Sequence, residues 1–131
     1  MTNEPLRGCP TCLTKVTETQ LGLRDYRWLQ DALPGRVAPM DVDAMLERKG
    51  RFLVLEFKPQ GAPLPMGQRL TLKALVRLGM DVWVVHELKG GKVKVGAMDR
   101  NGNVPFSDTV TVARLRANVA EWFRSADEGG D

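Results

Sequence analysis

Residues 38–59, APMDVDAMLERKGRFLVLEFKP, hold two short strand-like runs joined by a charged turn that contains Gly50. Side chains two apart on a strand point to the same side. Glu56 and Lys58 therefore project together from the second run. Pairing of that run with the one before it lets Asp43 join them. Phe52, Leu53, Val54 and Leu55 are apolar on both faces, the pattern of a central strand. A central strand that exposes a glutamate and a lysine at its end does so at a crevice. Two carboxylates and a lysine meeting there are suited to holding a divalent cation against a phosphate. The rival reading is a pair of solvated strand ends, with Glu56 and Lys58 as an exposed ion pair.

Outward from this stretch, residues 19–33 read as an amphipathic helix (Leu21, Trp28, Leu29 and Ala32) that stops before Pro34 and Gly35. Residues 37–46 and 52–57 are the first two expected strands, the second ended by Pro59. A stiff loop with two prolines leads into a helix over 66–78, with Leu70, Ala74, Leu75 and Leu78 expected to face inward and Gly79 as its C-cap. Residues 82–86 (VWVVH) form a third strand, and Gly90-Gly91 turns the chain into a fourth over 92–98. Residues 100–103 make another turn. A last helix covers about 112–126, with Thr111 as N-cap and Leu115, Val119 and Trp122 on one face. The order is mixed α/β: a mixed four-stranded sheet flanked by helices. The domain plan is an N-terminal arm over 1–18, a single domain over 19–126 and a disordered acidic tail over 127–131.

With 131 residues the chain has room for one ordinary core, and 43% apolar with 27% charged residues excludes disorder for the body. No apolar run reaches the roughly 18 residues of a membrane span, and the N-terminus has no apolar signal region. Two cysteines make no disulfide scaffold, so a reducing cytoplasm is the expected location. The net charge of +3 hides an asymmetry: three acids sit in the last five residues, leaving nineteen basic against thirteen acidic side chains on the rest. Such a body suits a polyanion, or is simply a basic soluble surface.

The pattern Asp, then Glu-x-Lys, carried here by Asp43, Glu56 and Lys58, resembles the PD-(D/E)xK nuclease superfamily. The spacing of Asp43 to Glu56 and the glycine at the turn look like small Holliday junction resolvases and stand-alone VRR-NUC nucleases. Gln68, opening the next helix, and the following LxxLGxDVWVV-like stretch extend the likeness over roughly residues 39–86. The residue before Asp43 is Val42 instead of the family's proline. The resemblance implies a restriction-endonuclease-like core and a Mg²⁺- or Mn²⁺-dependent endonuclease acting on branched DNA as a homodimer. It assigns Asp43 and Glu56 to the metal, with the Phe57 carbonyl as a third oxygen, Lys58 to the attacking water and phosphate, and Gln68 to positioning. Asp41 is a fallback ligand, and Glu18 the nearest match to a first-helix glutamate used by many relatives.

Other features have two readings each. Arg69, Lys73 and Arg77 recur every four residues and either track a phosphate backbone or form an ordinary solvated helix face. Arg24, Arg27 and Arg36 add to a DNA-facing surface or are neutral. Cys9 and Cys12 form a Cys-x-x-Cys knuckle; one chain lacks the ligands for a Cys₄ zinc site, so Zn²⁺ requires two chains to pool their pairs, and otherwise the thiols are structural. His86 and the three tryptophans read as strand-end and packing residues. A non-catalytic nucleic-acid-binding module and, more remotely, a redox protein built on the cysteines are the alternatives to a nuclease.

Overall fold

The computed structural model describes residues 27–35 and 37–129. The chain divides between Asp41 and Val42, and each part is described by itself. In the first, a single-turn helix α1 spans Arg27–Gln30. The rest of the helix expected over 19–33, the arm over 1–18 with Cys9 and Cys12, Glu18, Arg24 and Arg36 lie outside the described residues. The boundary expected at 18/19 lies outside the described residues as well.

The second part is a five-stranded mixed sheet with two long helices. β1 (Ala44–Arg48), β2 (Arg51–Pro59), β3 (Asp81–Leu88), β4 (Lys92–Ala97) and β5 (Val110–Thr111) lie in that spatial order. β1–β2, β3–β4 and β4–β5 are antiparallel, while β2–β3 is parallel. A parallel neighbour requires a crossover, and helix α2 (Met66–Arg77) supplies it. Helix α3 (Val112–Gly129) follows β5 directly.

Local chemistry sets these boundaries. β1 and β2 are joined by Lys49 and Gly50, both with positive φ (51° and 83°), the two-residue turn whose twist matches a hairpin. Glu47 closes it by accepting the Gly50 N–H at 2.9 Å. Helix α2 ends in a Schellman motif: the Gly79 N–H (φ 104°) bonds the Val76 carbonyl and the Met80 N–H bonds the Leu75 carbonyl. Thr111 caps α3 through its hydroxyl, which accepts the Arg114 N–H at 3.1 Å. Thr111→Ala is expected to cost about 1 kcal/mol, read as a lower midpoint in denaturant melts with unchanged slope.

The sheet has a core on each face. Leu53, Leu55, Val85 and Val93 pack with Leu115, Trp122 and Ala126 of α3. On the other face Val54, Val82 and Val84 are fully covered on the side of α2, whose buried residue is Leu72.

Four expectations are corrected. The strand predicted over 37–46 begins only at Ala44; Pro39 has no N–H to give a ladder, and at Asp43 a side chain takes over the pairing. Helix α2 does not turn Leu70, Ala74 and Leu78 inward: Leu70 is 51% and Leu78 77% exposed, and Ala74 is exposed too. Its buried side is that of Gln68 and Leu72. β5 makes the sheet five-stranded where four were expected, and β3 continues past His86 to Leu88.

The fourth correction concerns the acidic tail. Helix α3 runs to Gly129, past the expected end at Ala126. Arg48 Nε donates to Asp127 Oδ1 at 2.6 Å, and Lys49 Nζ donates to the Asp127 carbonyl at 2.9 Å. The hairpin turn thus brings two cations to the negative end of the helix. The Arg48 hydrogen bond, foremost, holds the Asp127 carboxyl below its ordinary value. A lowered carboxyl stabilises the fold above its unfolded-state value, and this contribution is lost as pH falls through the native one. Asp127→Asn is therefore expected to melt below the wild type at neutral pH. The gap should close as pH drops below the ordinary value of 3.8; a gap that persists in strong acid would contradict this account.

Candidate functional site

β2 is covered on both faces, yet its fourth buried residue is a glutamate: Glu56 is 3% exposed. It shares the α2-facing side with Val54 and Lys58, by the two-residue period of the strand. Gln68, in the first turn of α2, reaches down and donates from Nε2 to Glu56 Oε2 at 2.6 Å. Lys58 Nζ lies 3.5 Å from the same oxygen. Glu56 Oε2 therefore takes one hydrogen bond and faces one ammonium. Its other oxygen, Oε1, and the Gln68 carbonyl oxygen are both buried without a partner.

Asp43 enters from the adjacent strand end. β1 pairs with β2 only as far as Ala44 opposite Leu55. Two residues farther along β2, Phe57 would look for a ladder partner, and Asp43 Oδ2 accepts its N–H at 2.8 Å. The N–H and C=O of one strand residue point to the same edge, so the Phe57 carbonyl lies on the Asp43 side. Asp43 is itself exposed. Its charge reaches Glu56, whose carboxyl is pushed above the ordinary range by burial first and by Asp43 second; Gln68 and Lys58 oppose them. An unbalanced buried carboxylate beside a second carboxylate is an electrostatic cost that a cation would offset.

The sheet thus assembles Asp43, Glu56, Lys58, Gln68 and the Phe57 backbone at one strand end. Among the described residues no cluster of three or more His, Cys, Asp or Glu side chains is placed to hold a metal. The centre offers two carboxylates, a carbonyl and the orphaned Gln68 oxygen. Oxygen donors few in number suit Mg²⁺ or Mn²⁺, which keep several waters. Asp41 is exposed and belongs to the first part of the chain.

The basic stripe has a job within the fold. Arg69 donates to the Asn103 side chain at 3.0 Å, and Arg77 to the Arg100 carbonyl at 2.9 Å. Lys73 lies against Gly102, the positive-φ residue of the same turn. Asp99 organises that turn by accepting the N–H groups of Asn101 and Asn103, both at 2.9 Å. The DRNGN spacing is the signal of such an Asp-initiated turn; its fastening by the helix is not visible in sequence. Arg24, Cys9 and Cys12 fall outside the described residues, as does the side chain of Arg27.

Two cavities among the described residues lie on opposite sides of the sheet. The larger, about 620 Å³, is lined by Trp83, Val95, Arg114 and Trp122 and sits on the α3 face, away from Glu56. The smaller, about 260 Å³, is lined by Val84, His86, Arg69 and Phe106. Val84 and His86 are the β3 partners of Glu56 and Lys58, so this cavity adjoins the carboxylate site. No helix among the described residues is long and apolar enough to cross a membrane. No protein-family model, curated protein or solved structure matches the chain.

Proposed function

We infer that residues 42–131 form the catalytic core of a Mg²⁺- or Mn²⁺-dependent nuclease that hydrolyses DNA phosphodiesters, with a restriction-endonuclease-like arrangement of sheet and helices. The observation that carries this reading is the pair of buried, unpartnered oxygens, Glu56 Oε1 and Gln68 Oε1, beside the Asp43 carboxylate. An orphaned buried acceptor costs about 1–3 kcal/mol, a cost that a cation with its waters would offset. The donor set fits a hard divalent cation, held by Asp43, Glu56 and the Phe57 carbonyl. When bound, such a cation lowers the pKa of its water and offsets charge on the phosphate.

The side chains divide the remaining work. Lys58, held against Glu56, either neutralises the phosphate and orients the attacking water as an ammonium or, as the neutral amine, takes a proton from that water. Gln68 keeps Glu56 in place through Oε2 and offers its own oxygen to a water. The basic balance of the chain favours a polyanionic substrate. The proposed substrate is branched DNA, and cutting two strands calls for two copies related by a dyad. Zn²⁺ pooled by Cys9 and Cys12 from two chains belongs to the same proposal.

The second reading is a non-catalytic nucleic-acid-binding module of the same fold. It is favoured by the engagement of Asp43 with the Phe57 N–H, which is also what a strand cap would do. Linear, nicked, forked and four-way DNA incubated with and without Mn²⁺ separates the two. Cleavage that needs the ion and disappears in Asp43→Asn supports the nuclease. Binding of DNA with no cutting of any substrate in either metal supports the module.

A further inference from the structure

We propose that the cavity beside His86 and Phe106 is a nucleoside pocket, which takes one unstacked base adjoining the scissile phosphate. The proposal deepens the nuclease reading and rests on it for the identity of the neighbouring site.

Position comes first. β2 and β3 pair in register, Glu56 with Val84 and Lys58 with His86. In-register neighbours share a sheet face and lie about 4.8 Å apart. Val84 lines the pocket, and His86 forms its wall nearest Lys58. A nucleotide whose phosphate meets Glu56 and Lys58 therefore has the pocket within one strand spacing.

Size and lining come next. About 260 Å³ falls short of the roughly 300–1,000 Å³ of pockets for drug-sized ligands, and suits a single base. Ala62, Leu64, Val84 and Val104 make an apolar lining, and Arg69 is the cationic member. The His86 and Phe106 rings lie 4.4 Å apart at 34°. Phe106 remains 39% exposed, so it offers open aromatic surface, as proteins that bind single strands do.

The wall is held in place by specific contacts. Phe106 bridges to Gly96 of β4, and the Ser107 N–H bonds the Val95 carbonyl at 2.8 Å. This approach requires glycine: a Cβ at position 96 would lie 2.5 Å from Val104 Cγ1. Asn103, one residue before Val104, is tied to Arg69, and Arg77 holds Arg100. The stripe that reads in sequence as a phosphate track thus fastens the pocket wall. A base enters such a pocket only after leaving its stack, which costs least at a junction, fork or frayed end. This links the pocket to a preference for branched over continuous duplex.

His86 is the one histidine of the chain, so its imidazole Cε1–H resonance is assignable without ambiguity. The test titrates the full-length protein with dAMP, dCMP and inorganic phosphate at millimolar concentration. Saturable shifts of the His86 resonance with the nucleotides and not with phosphate are expected. Ala62→Phe, which fills the cavity, should abolish them. Phe106→Ala should weaken binding at least about fivefold. Equal shifts with phosphate alone, no shift with either nucleotide, or shifts unchanged in Ala62→Phe while Phe106→Ala binds like wild type would each overturn the pocket. Cleavage with Mn²⁺ is scored on the same preparation. A protein that binds nucleotides here but cuts nothing loses the nuclease reading and keeps the pocket. One that cuts DNA without any nucleotide shift loses the pocket alone.

Discussion

Glu56→Gln should reduce Mn²⁺-dependent DNA cleavage by at least about 10³-fold, beyond the usual loss of one electrostatic donor, and should make the metal-free protein more stable at neutral pH. Both effects have one cause. Glu56 is buried, and its proton is bound more tightly in the fold than in the unfolded chain because of that burial and the Asp43 charge. A carboxyl raised in this way contributes stability below its unfolded-state value and loses it as pH rises through the native value. Glutamine has the same shape and still accepts from Gln68, yet carries no charge to desolvate. The variant should gain about 1 kcal/mol at neutral pH, and the gain should shrink in acid, where Glu56 is itself protonated. Divalent cation adds a third readout. At a hundredfold excess over Kd a ligand that binds only the native state stabilises by about 2.7 kcal/mol; wild type should show such an increment and Glu56→Gln should not. Thermal melts at acidic and neutral pH, with and without Mn²⁺, measure all of this. Equal cleavage in the two proteins would end the metal-site reading.

Lys58→Ala should lower kcat by about 10²–10³-fold, the scale of a lost transition-state donor, with little change in DNA affinity. Lys58 sits 3.5 Å from Glu56 Oε2, with its side chain 19% exposed, so its ammonium is held at the rim of the carboxylate site instead of wandering on the surface. Its loss removes a positive charge that Glu56 faces, but leaves Gln68 on the same oxygen. The comparison with Lys58→Arg separates two roles. Arginine preserves the charge and cannot give up its proton; restored cleavage assigns Lys58 to charge stabilisation, and continued loss assigns it to the attacking water. Single-turnover rates and fluorescence anisotropy with a labelled four-way junction give kcat and affinity separately. A variant that binds and cuts like wild type would remove Lys58 from the mechanism.

The central hairpin was legible because its signals are local. A continuous apolar run, the charged turn at Gly50 and Pro59 mark β1 and β2, and the two-residue period places Glu56 and Lys58 on one side. Gln68 could be named from the likeness, but its hydrogen bond to Glu56 depends on how α2 is rotated. There the apolar pattern was ambiguous. Helix α2 carries two stripes, Leu70–Ala74–Leu78 and the buried side through Leu72, and periodicity does not rank them. Docking over β3 chose the second, which is the side that brings Gln68 to the sheet. The start of β1 was misplaced because a side chain, Asp43, replaces a backbone partner there. β5 has two residues, too few to leave a pattern. The pocket at His86 joins residues from β3, α2 and two loops, and no spacing along the chain announces it.

The parallel pairing of β2 with β3 has a consequence for how activity appears during folding. Hairpins β1–β2 and β3–β4 close over short separations. Their union must wait for the intervening crossover to find its place, a non-local step that pays its loop-closure entropy before any contact rewards it. Asp43 and Lys58 ride on the first hairpin, His86 on the second, and Gln68 on the connecting helix. On the nuclease reading, the site is complete only after this merger, and refolding chains should regain cleavage in step with protection of the β2–β3 amides from exchange.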